Sequence, residues 1–210
     1  MKEIDFLDDD KKVDELLEKI NNDIKAKLSD KRYNHSLGVM KKAEELAKIY
    51  GENVNKAKLI GLAHDIGKEL PKEDKLKYAI DNGILVDDIE KVNIDLLHGK
   101  IGADICSKRY GFTNDMQNAI IYHTVGNENM DLLAKILFVA DKIEDSRNYK
   151  DEEKKAKLEE ARIIAKENID KAVLYEIDMS LEYTLKKNEL IHPDSIYTRN
   201  KIIMNLKQKK

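Results

Sequence analysis

The sequence predicts an all-α fold. Three observations carry that expectation. Apolar residues recur at helical spacing along most of the chain. Glycine and proline are scarce, 9 and 2 in 210 residues. Two prolines also leave little room for the turn-rich pattern of a β-sandwich. The hydrophobic fraction is 41% and the charged fraction 38%, yet the formal net charge is only -3. Dense but balanced charge reads as solvated helix faces laced with i,i+4 pairs. It supplies no field for nucleic acid or an anionic membrane, and no basic stripe with interleaved aromatics stands out. The length suits one domain with a sizeable core, or one domain with a helical extension.

The elements follow in order. Residues 1–10 read as loose. A first helix spans about Lys11 to Leu28, with Val13, Leu16, Leu17, Ile20, Ile24 and Leu28 on one stripe. Ser29 or Asp30 caps a second, which ends at Tyr50 with Gly51 as the stop. Asn53 or Asn55 caps a third, read through to Ile66. Pro71 suits the first turn of a fourth, to about Asn82, and Gly83 terminates it. A short helix near Val86–Val92 leads to His98. Another runs from about Lys100 to Tyr110, closed by Gly111. Thr113 caps a helix to His123, and Thr124–Met130 is a loop. Asp131 opens the apolar helix through Ala140. After the polar connection Glu144–Asp151, helical text runs from Glu152 to Glu189 with a break near Asn168–Asp170. Pro193 closes it, and a last helix spans about Asp194 to Leu206. The final helices either fold over the bundle or mediate self-association.

The single cysteine, Cys106, cannot form an internal disulfide and reads as a small core residue. The acidic N-terminus lacks the apolar run of a signal peptide. No stretch of about 18 uncharged apolar residues offers a membrane span. A reducing cytoplasm is the expected compartment.

Chemistry is carried by few residues. The five histidines are His35, His64, His98, His123 and His192. The run Leu59–Ala63 is apolar nearly all round, as a buried helix should be. It ends in His64-Asp65. A buried, unpaired carboxylate costs several kcal/mol on the usual scale. Asp65 therefore needs a cation, and imidazole with carboxylate is a donor set for a first-row metal. Asp141 repeats the oddity after the apolar run Phe138-Val139-Ala140. Neighbours on a helix point about 100° apart, so His64 and Asp65 share an ion only at a helix margin. Other helices must complete the site, and His35 and Asp141 are suited to it. His98 and His123 are placed either to hold a second ion or to bind substrate phosphate.

These residues, in the order His35, His64-Asp65, Asp141, resemble the H…HD…D signature of the HD-domain metal phosphohydrolases. The local text is similar to one branch, the bacterial YqeK family. It includes Arg32-Tyr33-Asn34-His35, Ala63-His64-Asp65-Ile66-Gly67-Lys68, Leu97-His98-Gly99, Ile121-Tyr122-His123-Thr124-Val125-Gly126, Phe138 to Arg147, and Ile191 to Asn200. The resemblance implies an HD-domain helical bundle over residues 20–206, with additional C-terminal helices. Residues 1–19 precede it and a frayed tail, 207–210, follows. It implies a symmetrical hydrolase of diadenosine tetraphosphate, cutting to two ADP by attack of a metal-activated water on phosphorus. Iron is the implied ion; manganese, cobalt and nickel also suit nitrogen and oxygen donors. A homodimer is implied as well.

The resemblance places His35, His64, Asp65 and Asp141 as metal ligands. It places Lys68, His98, His123, Thr124 and Arg147 at the nucleotide, with Arg32 and Tyr197, Thr198, Arg199 and Asn200 less directly so. Lys68, four residues after His64, reaches a phosphate if the helical turn persists. Arg147 offers a bidentate fork. His98 and His123 bind phosphate or protonate the leaving group. The alternatives are an HD-type hydrolase of another nucleotide (a guanosine alarmone, a nucleoside monophosphate or a cyclic dinucleotide), a nucleotide-binding regulatory module without turnover, and a structural bundle.

Overall fold

In the computed structural model, which describes residues 7–208, the chain folds as a succession of helices with no strand among the described residues. They are α1 (Asp10–Lys27), α2 (Asp30–Tyr50), α3 (Val54–Ala63), α4 (Lys72–Asp81), α5 (Asp88–Val92), α6 (His98–Tyr110), α7 (Asn114–Tyr122), α8 (Leu132–Ile143), α9 (Glu152–Glu167), α10 (Ile169–Lys186) and α11 (Pro193–Gln208). Three-ten turns at Ile66–Glu69 and Ile94–Leu97 sit before α4 and α6. No described helix is long and apolar enough to cross a membrane. Of the segment expected to be loose, residues 1–6 lie outside the described residues.

Capping chemistry sets most boundaries. The carboxylates of Asp131 and Asp151 and the amides of Asn53 and Asn168 each accept from a backbone N–H of the following first turn. Such a cap satisfies one of the orphan donors of the helix end and is worth about 1 kcal/mol. Gly51 and Gly111 end α2 and α6 in the left-handed region, at φ 71° and 73°. Three expectations need correction. Ser29 precedes α2 without a side-chain capping bond. Thr113 does not cap α7 with its side chain; its hydroxyl donates to Asp115 instead. Pro193 is the first residue of α11, where its missing N–H costs nothing, rather than only a terminator of what precedes it.

The core forms around α8, which packs against α2, α3, α7, α9 and α10. That surround explains its all-round apolarity: Leu133, Ala134, Ile136, Leu137, Phe138, Val139 and Ala140 are all buried. Val39, Leu46, Leu59, Ile60, Ile101, Met116 and Ile120 close the core from α2, α3, α6 and α7. Helices α9 to α11 fold back over this bundle through Leu158, Ala161, Val173, Ile177 and Ile202. Cys106 is buried, and burial pushes its thiol pKa up, which suits a packing residue and not a nucleophile.

Candidate metal centre and adjoining cleft

The helix carrying the His-Asp pair stops earlier than its apolar pattern suggests. Helix α3 ends at Ala63, and His64 and Asp65 lie at the junction with the three-ten turn. The reason is a close approach. A Cβ on Gly67 would stand 2.1 Å from the carbonyl oxygen of His98. The turn tightens so that its backbone can rest on the start of α6. This change of helix type places adjacent side chains on one centre, as a helix interior could not.

Six expected residues converge there. His35 comes from α2, Asp141 from α8, His98 from the start of α6 and His123 from the end of α7. Asp65 Oδ1 lies 3.4 Å from His64 Nε2, 3.6 Å from His98 Nε2 and 3.7 Å from His123 Nε2. Asp141 Oδ1 lies 2.9 Å from His35 Nε2 and 3.7 Å from His64 Nε2. The Nε2 atoms of His98 and His123 are 3.0 Å apart.

The tautomers follow from the other ring nitrogens. His64 Nδ1–H donates to the Gly61 carbonyl (2.9 Å), His98 Nδ1–H to Asp95 (2.5 Å) and His123 Nδ1–H to Ile120 (2.6 Å). His35 Nδ1–H donates to Glu144 Oε1 at 3.0 Å. When neutral, each ring therefore turns a lone pair at Nε2 toward the carboxylates; His35 does so once it yields the Nε2 proton it shares with Asp141. That is how imidazoles are oriented around a metal.

The electrostatics agree with that donor set. Burial pushes His64 down to about 4 and, with His123 adding to it, His98 down to about 3. Both rings are neutral near pH 7 and able to coordinate. Burial also lowers His35, but hydrogen bonds from its ring to Asp141 and Glu144 outweigh it and raise the pKa to about 9. For Asp65, burial favours the protonated acid, yet the field of His64, the neighbouring His123 ring and the Lys68 ammonium hold the carboxyl well below the usual range. Asp141 is likewise held low, by His35 and Lys142 against burial.

His64 Nε2 and Asp65 Oδ1 are buried without a hydrogen-bond partner. An orphaned buried polar group costs about 1–3 kcal/mol, and more when charged. Both atoms are lone-pair donors and cannot satisfy each other. A divalent cation fits this donor set and relieves both. Two groups of side chains are arranged to hold one: His35, His64 and Asp141, and His64, Asp65 and His123.

The centre opens on a cleft of about 520 Å³, within the range of small-molecule sites. Thr124 lines it, and Lys142, Arg147, Tyr149, Tyr175 and Glu176 form what is its outer wall relative to the centre. Lys68 donates to Asp65 Oδ2 at 2.8 Å, and so fixes the carboxylate whose other oxygen is orphaned. Its turn is three-ten, not the continued α-helix that the reach from His64 presumed. Arg147 Nε donates to the Asp141 carbonyl at 2.7 Å and Nη2 approaches Asp141 Oδ1 at 3.3 Å. Thr124 Oγ1 lies 3.4 Å from His98 Nε2.

Other expected nucleotide contacts are not among the cleft-lining residues. Arg32, Tyr197 and Asn200 are exposed. Arg199 is turned to the Asp178 carboxylate. Thr198 is buried, its hydroxyl donating to the Asp194 carbonyl, where it packs on Gly126. Only one face of α11 meets the bundle, and Ser195, not Tyr197, is its residue at the cleft. Lys142, Glu144 and Glu176 were missed. Glu176 was detectable by the rule that found Asp65 and Asp141, since it too is a carboxylate in an apolar helical run.

A model of the HD domain matches residues 32–146, a span that begins just before His35 and ends just after Asp141. The chain belongs to the HD-domain family. It is 35% identical over 185 residues to the symmetrical bis(5'-nucleosyl)-tetraphosphatase of Halalkalibacterium halodurans, covering 88% of this chain and 95% of that one. The enzyme of the same name from Bacillus subtilis is 32% identical over 181 residues, covering 86% and 94%. The solved structure of a protein from Clostridium acetobutylicum, described as a predicted HD-superfamily hydrolase involved in NAD metabolism, superposes with a TM-score of 0.83 at 38% identity, over 90% of this chain and 97% of that one. The match extends well past the HD domain itself and includes the helices that form the cleft wall. Within the HD family, the chain therefore belongs with the symmetrical tetraphosphatases.

Proposed function

We propose that this protein is a metal-dependent hydrolase that cleaves diadenosine tetraphosphate symmetrically to two ADP. The observation that carries the reading is the pair of orphaned, mutually facing donors, His64 Nε2 and Asp65 Oδ1, at the head of a cleft edged by Lys142 and Arg147. In this reading His35, His64, Asp65 and Asp141 hold the ion, and iron is the assigned metal. When bound, the ion supplies an acidified water and neutralises charge on the phosphates.

The chain's own residues do the rest. Phosphoryl transfer asks mainly for positioning and charge neutralisation. Arg147 presents its guanidinium to the cleft while anchored on Asp141, so a phosphate there is held in register with the ligand set. Thr124 offers a hydroxyl beside His98 and His123. Lys68 keeps Asp65 ionised and in one rotamer. His98 has its Nδ1–H committed to a carbonyl and its pKa depressed, so near pH 7 it has no proton to give a leaving group. Its Nε2 and that of His123 instead offer lone pairs to a hydrogen-bond donor or a second cation. The tyrosines of the outer wall offer faces for a nucleoside.

The test is metal analysis of protein purified without added metal, together with product analysis on diadenosine tetraphosphate. Bound iron and two ADP per substrate are expected. ATP plus AMP would overturn symmetrical cleavage, and turnover indifferent to chelator would overturn the metal assignment.

A further inference from the structure

Among the four converging imidazoles, His35 is anchored differently. The other three give their Nδ1–H to a backbone carbonyl three residues upstream. His35 gives its own to the carboxylate of Glu144, 109 residues later in the chain, at the end of the neighbouring α8.

Glu144 is the first residue after α8, and its side chain is 1% exposed. Its carboxylate is held on all sides. Oε1 accepts from His35 and from the Ser146 hydroxyl (2.8 Å), and Oε2 accepts from the Ser146 backbone N–H (2.6 Å). Its backbone is pinned too. The N–H donates to the Ala140 carbonyl at 3.1 Å, and its carbonyl accepts from Arg162 at 2.9 Å. Room for this group is provided by Gly38, three residues along α2 from His35. A Cβ there would lie 2.3 Å from Glu144 Oε2 and 3.0 Å from its Cδ.

We propose that Glu144 is a positioning residue of the metal centre, acting through His35, and that Gly38 is the space it requires. The assignment rests on the reading of His35 as a metal ligand. Donating from Nδ1–H to Glu144 fixes the tautomer of the neutral ring with its lone pair on Nε2, beside Asp141. A carboxylate acceptor does this more strongly than a carbonyl, because the hydrogen bond is charge-assisted, and it makes the imidazole a better donor. Glu144 faces away from the Asp141 side of the ring. It controls the centre without touching an ion. His35 reaches the centre from α2, and its anchor reaches back from the end of α8, so the pair also ties those two helices together at the site.

The test is titration of metal-free protein with cobalt(II), followed by the ligand-field absorption of the bound ion. Glu144→Ala and Gly38→Ala are expected to weaken cobalt binding about 10- to 100-fold, the usual cost of losing an outer-shell partner. Glu144→Gln, which keeps a neutral acceptor, falls between them and the parent. In a His35→Ala background the further change Glu144→Ala has no additional effect on affinity, because its route is already gone. Parental cobalt affinity and spectrum in both Glu144→Ala and Gly38→Ala, with lowered thermal stability alone, would overturn the proposal and leave Glu144 as a turn-capping residue. So would additive losses in the double variant. Parental affinity in His35→Ala itself overturns the ligand reading, a different failure. If Glu144→Ala does not fold, Gly38→Ala and Glu144→Gln carry the same comparison.

Discussion

The metal centre, the inner wall of the site, and the cleft beside it, whose lining is the outer wall, are assembled differently. On the inner wall, His64, His98 and His123 each sit at a helix junction and each lock their ring on the carbonyl three residues before. The device is local: one short stretch of sequence makes the junction, the anchor and the tautomer together. On the outer wall, Lys142 at the end of α8 and Arg147 just beyond it meet Glu176 and Tyr175 from α10, about thirty residues later. Nothing local fixes those side chains against each other. They depend on how α10 packs on α8. The inner wall should therefore fail sharply when one donor is lost, whereas the outer wall should yield by degrees.

The sharpest break is expected at Asp65. Asp65→Ala removes an orphaned oxygen together with the Lys68 ion pair, and turnover should fall by several orders of magnitude along with the bound metal. Without metal, the variant lacks a carboxylate that the fold holds ionised and its ion pair with Lys68, so the metal-free form should also melt somewhat lower than the metal-free parent. Calorimetry with and without metal separates the two effects. In the parent, metal at 100 times its Kd should stabilise by about 2.7 kcal/mol, and in the variant by almost nothing. A variant that keeps its metal would mean that the inner wall does not hold the ion.

Gly67→Ala comes next. The added methyl would meet the His98 carbonyl oxygen at 2.1 Å, with backbone on both sides and no flexible chain to yield. Overpacking of this kind costs about 1–3 kcal/mol, or several degrees of Tm in a chain of this size. Because the strain falls between Asp65 and His98, metal affinity should drop with stability. A drop in Tm with unchanged metal affinity would show that the junction tolerates spreading.

How far the sequence disclosed this molecule follows the same division. Helix boundaries set by caps and glycines, such as Asn53, Gly51 and Gly111, stand where the residues put them, since capping is local chemistry. The inner-wall donors were legible for the same reason: a carboxylate or imidazole ending a greasy helix is conspicuous. The end of α3 was not, because it is decided by the approach of α6 to Gly67, a tertiary fact. The placement of the closing segment was hidden for a related reason. Tyr197, Arg199 and Asn200 look like ligand chemistry in a string, but α11 turns Ser195 and Thr198 inward and leaves Arg199 to Asp178.

Arg147→Lys probes the outer wall with a smaller effect. The fork that joins Asp141 to the cleft becomes a point charge, so KM should rise about tenfold, near 1.4 kcal/mol. Metal content should stay as in the parent, since Arg147 donates to Asp141 without being a candidate ligand. Loss of metal in this variant would make the two walls one unit after all, and steady-state kinetics alongside metal analysis reads both quantities.

The smallest effect is expected at Glu176. Burial raises its carboxyl pKa above the ordinary value, and the nearby Lys142 and Arg147 only partly oppose that. The ionised form is thus penalised in the folded protein. The penalty is absent below the unfolded pKa, near 4.3, and is complete once the pH exceeds the folded value. Glu176→Gln removes it, so Tm at pH 7 should rise by about 2 °C, roughly 0.5–1 kcal/mol, and the gain should vanish as the pH is lowered toward 4. The same change leaves Lys142 and Arg147 less compensated, so ADP should inhibit about two- to fivefold more strongly at low salt, an advantage that added salt should erode. Stability that does not rise, with weaker inhibition by ADP, would instead make Glu176 a direct acceptor for the nucleoside. The outer wall would then carry recognition by hydrogen bonding as well as by charge.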